Sequence, residues 1–157
     1  MLLNDVQEPL VETSKRINRI VAAEDALFPG EIRTGGVEVS TIQGRYGPPM
    51  LTEGEVKKQY DEIINQNTSE TEKALRLFLF ISKKQIFWDG NKRTALITAN
   101  SVMFNQGAGL ISIPEKIFSK FNELLSDFYN SNNHMYYEKI KKYMYLNCIF
   151  GIDFIGK

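Results

Sequence analysis

Gln85-Ile86-Phe87-Trp88-Asp89-Gly90-Asn91-Lys92-Arg93-Thr94 separates two helix-like runs, and the fold is read outward from it. Upstream, Leu75 to Ile81 is apolar on nearly every side apart from Arg76. Period alone would allow a buried strand there. Ser69-Glu70-Thr71-Glu72 just before it is a capping box, in which hydroxyl and carboxylate satisfy the first free backbone N–H groups, so the expectation is a central helix. Downstream, Thr94 to Phe104 reads as a second helical segment that ends at Gln106-Gly107.

Four further helices flank this pair. In the first, Leu10, Ser14, Ile17 and Val21 are predicted to line one face, with Lys15, Arg16 and Arg19 on the others. The next opens at the capping box Thr52-Glu53-Gly54-Glu55 and should bury Val56, Tyr60, Ile63 and Ile64. A third box, Ser112-Ile113-Pro114-Glu115, places proline where its missing N–H costs nothing. Behind it Ile117, Phe118, Phe121, Leu124, Leu125 and Phe128 share a stripe. The last helix is expected from about His134 to Phe150. Between the first two helices lies a glycine- and proline-rich stretch, Pro29 to Pro49. There Glu31-Ile32-Arg33 and Val37-Glu38-Val39 read as short strands about a Gly35-Gly36 turn. A hairpin this small must rest on the helices or act as a flap. The expectation is one all-α domain over residues 1–157, a helical bundle with a hairpin flap at about 31–47 inserted before the second helix.

Composition excludes several classes of function. The 157 residues, 43% hydrophobic and 24% charged, suit one globular domain with a substantial core. Nineteen basic residues balance nineteen acidic ones, so bulk charge predicts no nucleic-acid or anionic-membrane partner. The longest apolar run, Ala74 to Ile81, is far short of the roughly 20 residues that a membrane span needs. The opening Met-Leu-Leu-Asn-Asp-Val-Gln-Glu has no basic region followed by an apolar run, which predicts no secretory leader. A single cysteine, Cys148, rules out an internal disulfide framework and a Cys-rich metal site, and fits a reducing, cytoplasmic setting.

The chemistry concentrates in the loop. Asp89-Gly90-Asn91 is a tight turn into a helix N-terminus, where free N–H groups, the positive end of the helix dipole, Lys92 and Arg93 would make an anion site. Asp89, a hard carboxylate beside it, could hold Mg²⁺ for a polyphosphate. The plainer alternative is a helix start with solvated basic residues after it.

The spelling of this loop resembles the signature of the Fic/Doc (Fido) family, His-x-Phe-x-Asp/Glu-Gly-Asn-Gly/Lys-Arg. Phe87, Asp89, Gly90, Asn91, Lys92 and Arg93 match it in order and spacing. The resemblance implies an all-α core with this loop between two helices. It also implies transfer of AMP from ATP to a Ser, Thr or Tyr hydroxyl of a target protein, or kinase-type phosphate transfer as in Doc-type toxins. Position by position, it makes Asp89 the Mg²⁺ ligand and Arg93 a phosphate-binding catalytic residue. Gly90, Asn91 and Lys92 become the nucleotide's anion nest. The hairpin, with Gly36, Val37, Glu38 and Val39, becomes the flap that pins a target segment by strand addition. The implied cofactors are ATP with Mg²⁺, and an antitoxin or a second copy of the chain remains open as a partner.

Three departures qualify what the resemblance implies. Gln85 stands where the family has its catalytic histidine, the general base. A carboxamide cannot accept that proton near neutral pH, and loss of a general base costs about 10²–10⁴-fold. Positioning and charge neutralisation, which dominate phosphoryl transfer, would survive. The consequence is either a slow enzyme or a nucleotide- or target-binding pseudoenzyme, and one base change separates the two codons. Second, Leu96 occupies the place of a second arginine found in adenylylating members. With Lys92 in the place of glycine, this brings the loop closer to Doc-type members. Third, the segments Thr34 to Glu38, Thr68 to Glu72 and Ser119 to Glu123 match the family's inhibitory helix only in part, so self-inhibition of that kind is not expected.

Other residues draw plainer expectations. His134, the one histidine, is expected at the surface near a helix start rather than as a replacement base. Lys83 and Lys84 should be solvated helix ends, Trp88 should pack, and Cys148 should be an inert core thiol.

Overall fold

Chain order decides which surfaces meet. In the computed structural model, which describes residues 10–151, α1 (Leu10–Val21) leads into a hairpin of β1 (Val39–Thr41) and β2 (Gly44–Tyr46). Then follow α2 (Glu53–Ile64), α3 (Glu70–Lys84), α4 (Asn91–Asn105), β3 (Leu110–Ile111), α5 (Phe118–Tyr129), α6 (His134–Asn147) and β4 (Ile149–Phe150). The expectation about the N-terminal octet lies outside the described residues, as do both ends of the 1–157 domain. No helix among the described residues is long and apolar enough to cross a membrane.

The fold is mostly helical around α3, as its apolar sequence predicts. Ala74, Leu75, Leu77, Phe78, Leu79 and Ile81 are buried on all its sides. Each large apolar side chain buried this way contributes about 1.5–3 kcal/mol. Helix α4 makes the most extensive contact with α3, because Ala95 and Ala99 let the two backbones approach. Val56, Tyr60 and Ile63 of α2 complete the core with Phe121, Leu124, Leu125 and Phe128 of α5 and Ile140 and Met144 of α6. Lys141 Nζ donates to Glu72 at 2.7 Å and so pins α6 to α3.

One predicted capping box forms in full and a second only in half, because Lys141 and Arg76 take the Glu72 carboxylate. Thr52 and Glu55 close a reciprocal capping box on α2, and Ser69 Oγ accepts from the Glu72 N–H at 3.1 Å. The third does not. The Ser112 N–H donates to the Cys148 carbonyl at 2.9 Å, which holds that segment extended, so the chain makes a 3₁₀ turn (Glu115–Ile117) before α5. The last helix likewise stops at Asn147, because Ile149 and Phe150 pair antiparallel with Ile111 and Leu110. On α1 the buried stripe is Val11, Ser14 and Asn18, continued by Ala22 in the turn that follows, and it is rotated from the predicted one toward the polar Asn18.

The hairpin lies between α1 and α2, but it turns at Ile42-Gln43 rather than at Gly35-Gly36. Its register pairs Val39 with Tyr46 and Thr41 with Gly44. The cause is that the predicted first strand is already occupied. Ile32 bridges Phe87, and the Arg33 N–H donates to the Ile86 carbonyl at 3.0 Å. Gly36, Val37 and Glu38 therefore lie before the strands, and only Val39 of the four predicted flap residues is in one. The hairpin rests on the helices, as so small a ribbon must. The Tyr46 hydroxyl donates to the Lys83 carbonyl at 2.8 Å, its ring stacks on Tyr129 at 5.1 Å, and Asn130 donates to Thr41 Oγ1 at 3.0 Å.

Candidate functional site

Helix α3 ends at Gln85, whose backbone is left-handed (φ 47) and reverses the chain into the loop. A non-glycine residue in that region carries strain of about 1–2 kcal/mol, so its surroundings must hold it. They do so through the side chain. Gln85 Nε2 donates to the Ser82 carbonyl at 2.6 Å, and Gln85 Oε1 accepts from Asn91 Nδ2 at 3.1 Å. Asn91, the first residue of α4, also closes on Phe87, accepting from its N–H at 2.8 Å and donating to its carbonyl at 3.0 Å. Its side chain is thus the clamp of the loop rather than a free anion ligand.

Gly90 precedes α4 with φ 69, and a Cβ there would lie 3.0 Å from Ala22 Cβ. Asn18, fully buried on α1, reaches the same point. Its Nδ2 donates to the Asp89 carbonyl at 2.8 Å and to Thr94 Oγ1 at 3.1 Å, while its Oδ1 accepts from the Gly30 N–H at 2.9 Å. Asp89 is exposed, and its Oδ1 accepts from the Gly90 N–H at 2.6 Å. Arg93 points toward α1, donating to the Val21 carbonyl at 2.9 Å and lying 3.3 Å from Asp25. Lys92 is exposed, with no hydrogen bond or ion pair among the described residues.

These residues line a cavity of about 780 Å³ with three walls. The loop contributes Gln85, Asp89, Gly90, Asn91, Lys92 and Arg93, the hairpin Val39 to Ile42, and α5 Asn122, Leu125, Ser126 and Tyr129. Every predicted loop residue is therefore brought to one place, and of the flap residues only Val39 joins them. Asp89, Lys92, Arg93 and Tyr129 are its titratable side chains, and burial pushes the Tyr129 phenol far above its ordinary range. Among the described residues no cluster of three His, Cys, Asp or Glu side chains could hold a metal. A single exposed carboxylate suits Mg²⁺ that arrives with a polyphosphate, since that ion is usually held by one or two carboxylates plus substrate oxygens.

On the far side of Lys92 and Arg93 lies a second cleft of about 350 Å³, lined by Phe78, Leu96, Ile113, Phe118 and Phe121. His134 lies in neither space; it sits 3.0 Å from Glu138 and stacks on Tyr137. Trp88 packs against Gly35 and edge-on to Phe28 at 5.8 Å. Cys148 is fully buried, and burial raises its thiol to about 11. Lys83 departs from expectation. It is not a solvated end, because its Nζ donates to the Ser131 carbonyl at 2.8 Å and lies 4.7 Å from the centre of the Phe128 ring.

Sequence reasoning missed Asn18, Arg33 and the α5 wall. A polar residue four after Ser14 on a buried stripe was the available signal for Asn18. Nothing local marks Arg33, whose partners are 15 or more positions away except for Gly35.

Comparison with known proteins bears on the whole arrangement. A family model described as the Fic/DOC family matches residues 9–103. No curated protein matches the chain in sequence. Among solved structures, a Fic domain-containing signaling protein from Bacteroides thetaiotaomicron VPI-5482 is similar, with a TM-score of 0.68 at 18% identity. The match covers 85% of this chain and 57% of that one, and at that identity the likeness is one of fold.

Proposed function

The chain belongs to the Fic/DOC family, and from that premise we propose that its cavity binds ATP with Mg²⁺ and transfers AMP, slowly, to a hydroxyl of a target protein segment held at the hairpin. The observation that carries this reading is the convergence of Asp89, Gly90, Lys92 and Arg93 on one cavity beneath the hairpin. Lys92, unpaired among the described residues, is a cation in position to meet phosphate. The exposed Arg93–Asp25 pair is worth only about 0–1 kcal/mol, so a phosphate can compete for it. Asp89 would hold Mg²⁺ together with the nucleotide's oxygens, and the ion would supply neutralisation of the charge that builds on them.

In the transfer, the hydroxyl oxygen forms a bond to the α-phosphorus, pyrophosphate leaves, and the hydroxyl proton needs an acceptor. Gln85 cannot be that acceptor. Its oxygen already accepts from Asn91 and its nitrogen donates to Ser82. The proton must go to solvent, and the expected cost is about 10²–10⁴-fold in rate.

A second reading has its own support. The cleft beyond Arg93 is apolar around Leu96 and offers no additional cation to a terminal phosphate there. That favours the γ-phosphate at the reaction centre and phosphate rather than AMP as the group transferred. The deciding experiment incubates the protein and its Gln85→His variant with Mg²⁺ and ATP labelled at the α- or the γ-phosphate, in lysate of the source cell. Stronger labelling with Gln85→His is expected, and the labelled position names the group. Nucleotide binding with no labelling by either protein would leave a pseudoenzyme that acts by occupancy.

A further inference from the structure

Arg33 is 3% exposed, yet no carboxylate partners it among the described residues. Its guanidinium donates instead to carbonyls on three separate pieces of chain. Nε reaches Gln85 O, and Nη2 reaches Lys84 O at 3.1 Å, which places the charge on the last carbonyls of α3, the negative end of that helix's dipole. Nη1 reaches Gly35 O at 2.8 Å, in the loop that packs closely against Trp88. Nη2 also reaches Pro49 O at 2.8 Å and Pro48 O at 3.5 Å, just past the hairpin. One planar fork therefore ties the entry of the motif loop to both ends of the segment that carries the hairpin.

The hairpin's other ties divide between the end of α3 and the end of α5. Tyr46, Thr41 and Gln43 bond to Lys83, Asn130 and Asp127, on α3 and around the end of α5. Thr41 and Gln43 thus hold the tip to α5, while Tyr46 reaches Lys83, two residues before Gln85, by a single bond, so the ribbon's distance from Gln85 rests on that bond and on the Arg33 fork. We propose that Arg33 is a positioning residue that sets this distance and so the width of the cavity between Val39–Ile42 and the loop residues. The proposal rests on the function given above only for what the cavity holds. A lysine cannot substitute, because its compact ammonium has no fixed fork with which to span three backbones at once.

The test uses the full chain as wild type, Arg33→Lys and Arg33→Ala, followed by amide hydrogen exchange with mass spectrometry. Three segments are compared: the hairpin 39–46, the loop 85–90 and the α3 core 75–81. In Arg33→Lys the first two should exchange at least ~10-fold faster, the change expected when a hydrogen bond to a charged group is lost, with the α3 core unchanged. Ethylguanidinium added to Arg33→Ala should restore their protection. Affinity for Mg²⁺-ATP, followed through the emission of the chain's one tryptophan, Trp88, should fall in parallel. Equal acceleration of all three segments would mean that Arg33 merely holds the fold, and no acceleration would mean that it sets nothing; either overturns the proposal. Wild-type protein that fails to bind Mg²⁺-ATP would instead overturn the proposed function, and the exchange data would still decide the role of Arg33.

Discussion

Asn91 Nδ2 lies 3.1 Å from Gln85 Oε1, so the residue in the general-base position is held by the residue that starts the following helix. The same amide nitrogen reaches the Phe87 carbonyl, and its oxygen takes the Phe87 N–H. Three bonds through one buried side chain fix the six residues from Gln85 to Gly90 between two helices. The loop's shape is thus set before any ligand arrives, which is the condition under which a site can lose its base and keep its binding geometry.

Asn91→Ala removes all three bonds and strands the Phe87 N–H and Gln85 Oε1 in a buried setting. Each stranded group costs about 1–3 kcal/mol, so a loss of about 2–6 kcal/mol is expected by urea unfolding. Asn91→Asp keeps the acceptor for Phe87 but not the donor for Gln85, and should fall between. Wild-type stability in Asn91→Ala would show that the clamp is not what holds the loop.

Gly90→Ala meets two penalties that can be separated. The backbone at φ 69 costs an L-residue about 1–2 kcal/mol, and the new methyl would stand 3.0 Å from Ala22 Cβ. Adding Ala22→Gly relieves only the contact. A double-mutant cycle should therefore show partial recovery, and complete recovery would mean that the dihedral carries no strain.

Much of this was legible in the sequence, and the failures share one physical origin. Helix α3, its serine cap and the caps of α2 follow from local signals. The motif loop could be placed between helices because its neighbours are strongly periodic. The hairpin was misplaced by several residues because its position depends on Arg33 and Ile32 being taken by Ile86 and Phe87, contacts more than fifty positions away. The third cap failed for the same kind of reason, since Ser112 is claimed by Cys148. Asn18 and the α5 wall joined the site through long-range packing that no local pattern encodes.

Acid should loosen α6 from α3 through Glu72. Burial alone would raise its carboxyl, but hydrogen bonds from Lys141 and Arg76 outweigh it and hold the group below its ordinary value of 4.5. A carboxyl depressed in the folded state stabilises fully above the unfolded value and loses that contribution as pH falls through the folded one. Glu72→Gln should then be less stable than wild type at pH 7, by up to ~1 kcal/mol for pairs this exposed. The gap should narrow below about pH 4.5. Parallel unfolding curves at pH 7 and pH 3.5 measure it (the lower pH being about one unit under that value), and a gap that widened in acid would have the sign wrong.

Lys92 separates binding from folding most cleanly. It is exposed and unpartnered among the described residues, so Lys92→Ala should change stability by no more than about 0.5 kcal/mol. If it meets phosphate, the same substitution removes a charged contact worth about 1.5–3 kcal/mol, or roughly 10- to 100-fold in affinity. Lys92→Arg should retain most of the binding, because the charge stays and the planar guanidinium can meet phosphate with two N–H groups at once. Titration of Mg²⁺-ATP against Trp88 emission at low and at physiological salt reads the effect, and the loss should shrink as salt screens the exposed charge. Unchanged affinity in Lys92→Ala would remove Lys92 from the anion site and leave Arg93, freed from Asp25, as the residue to test.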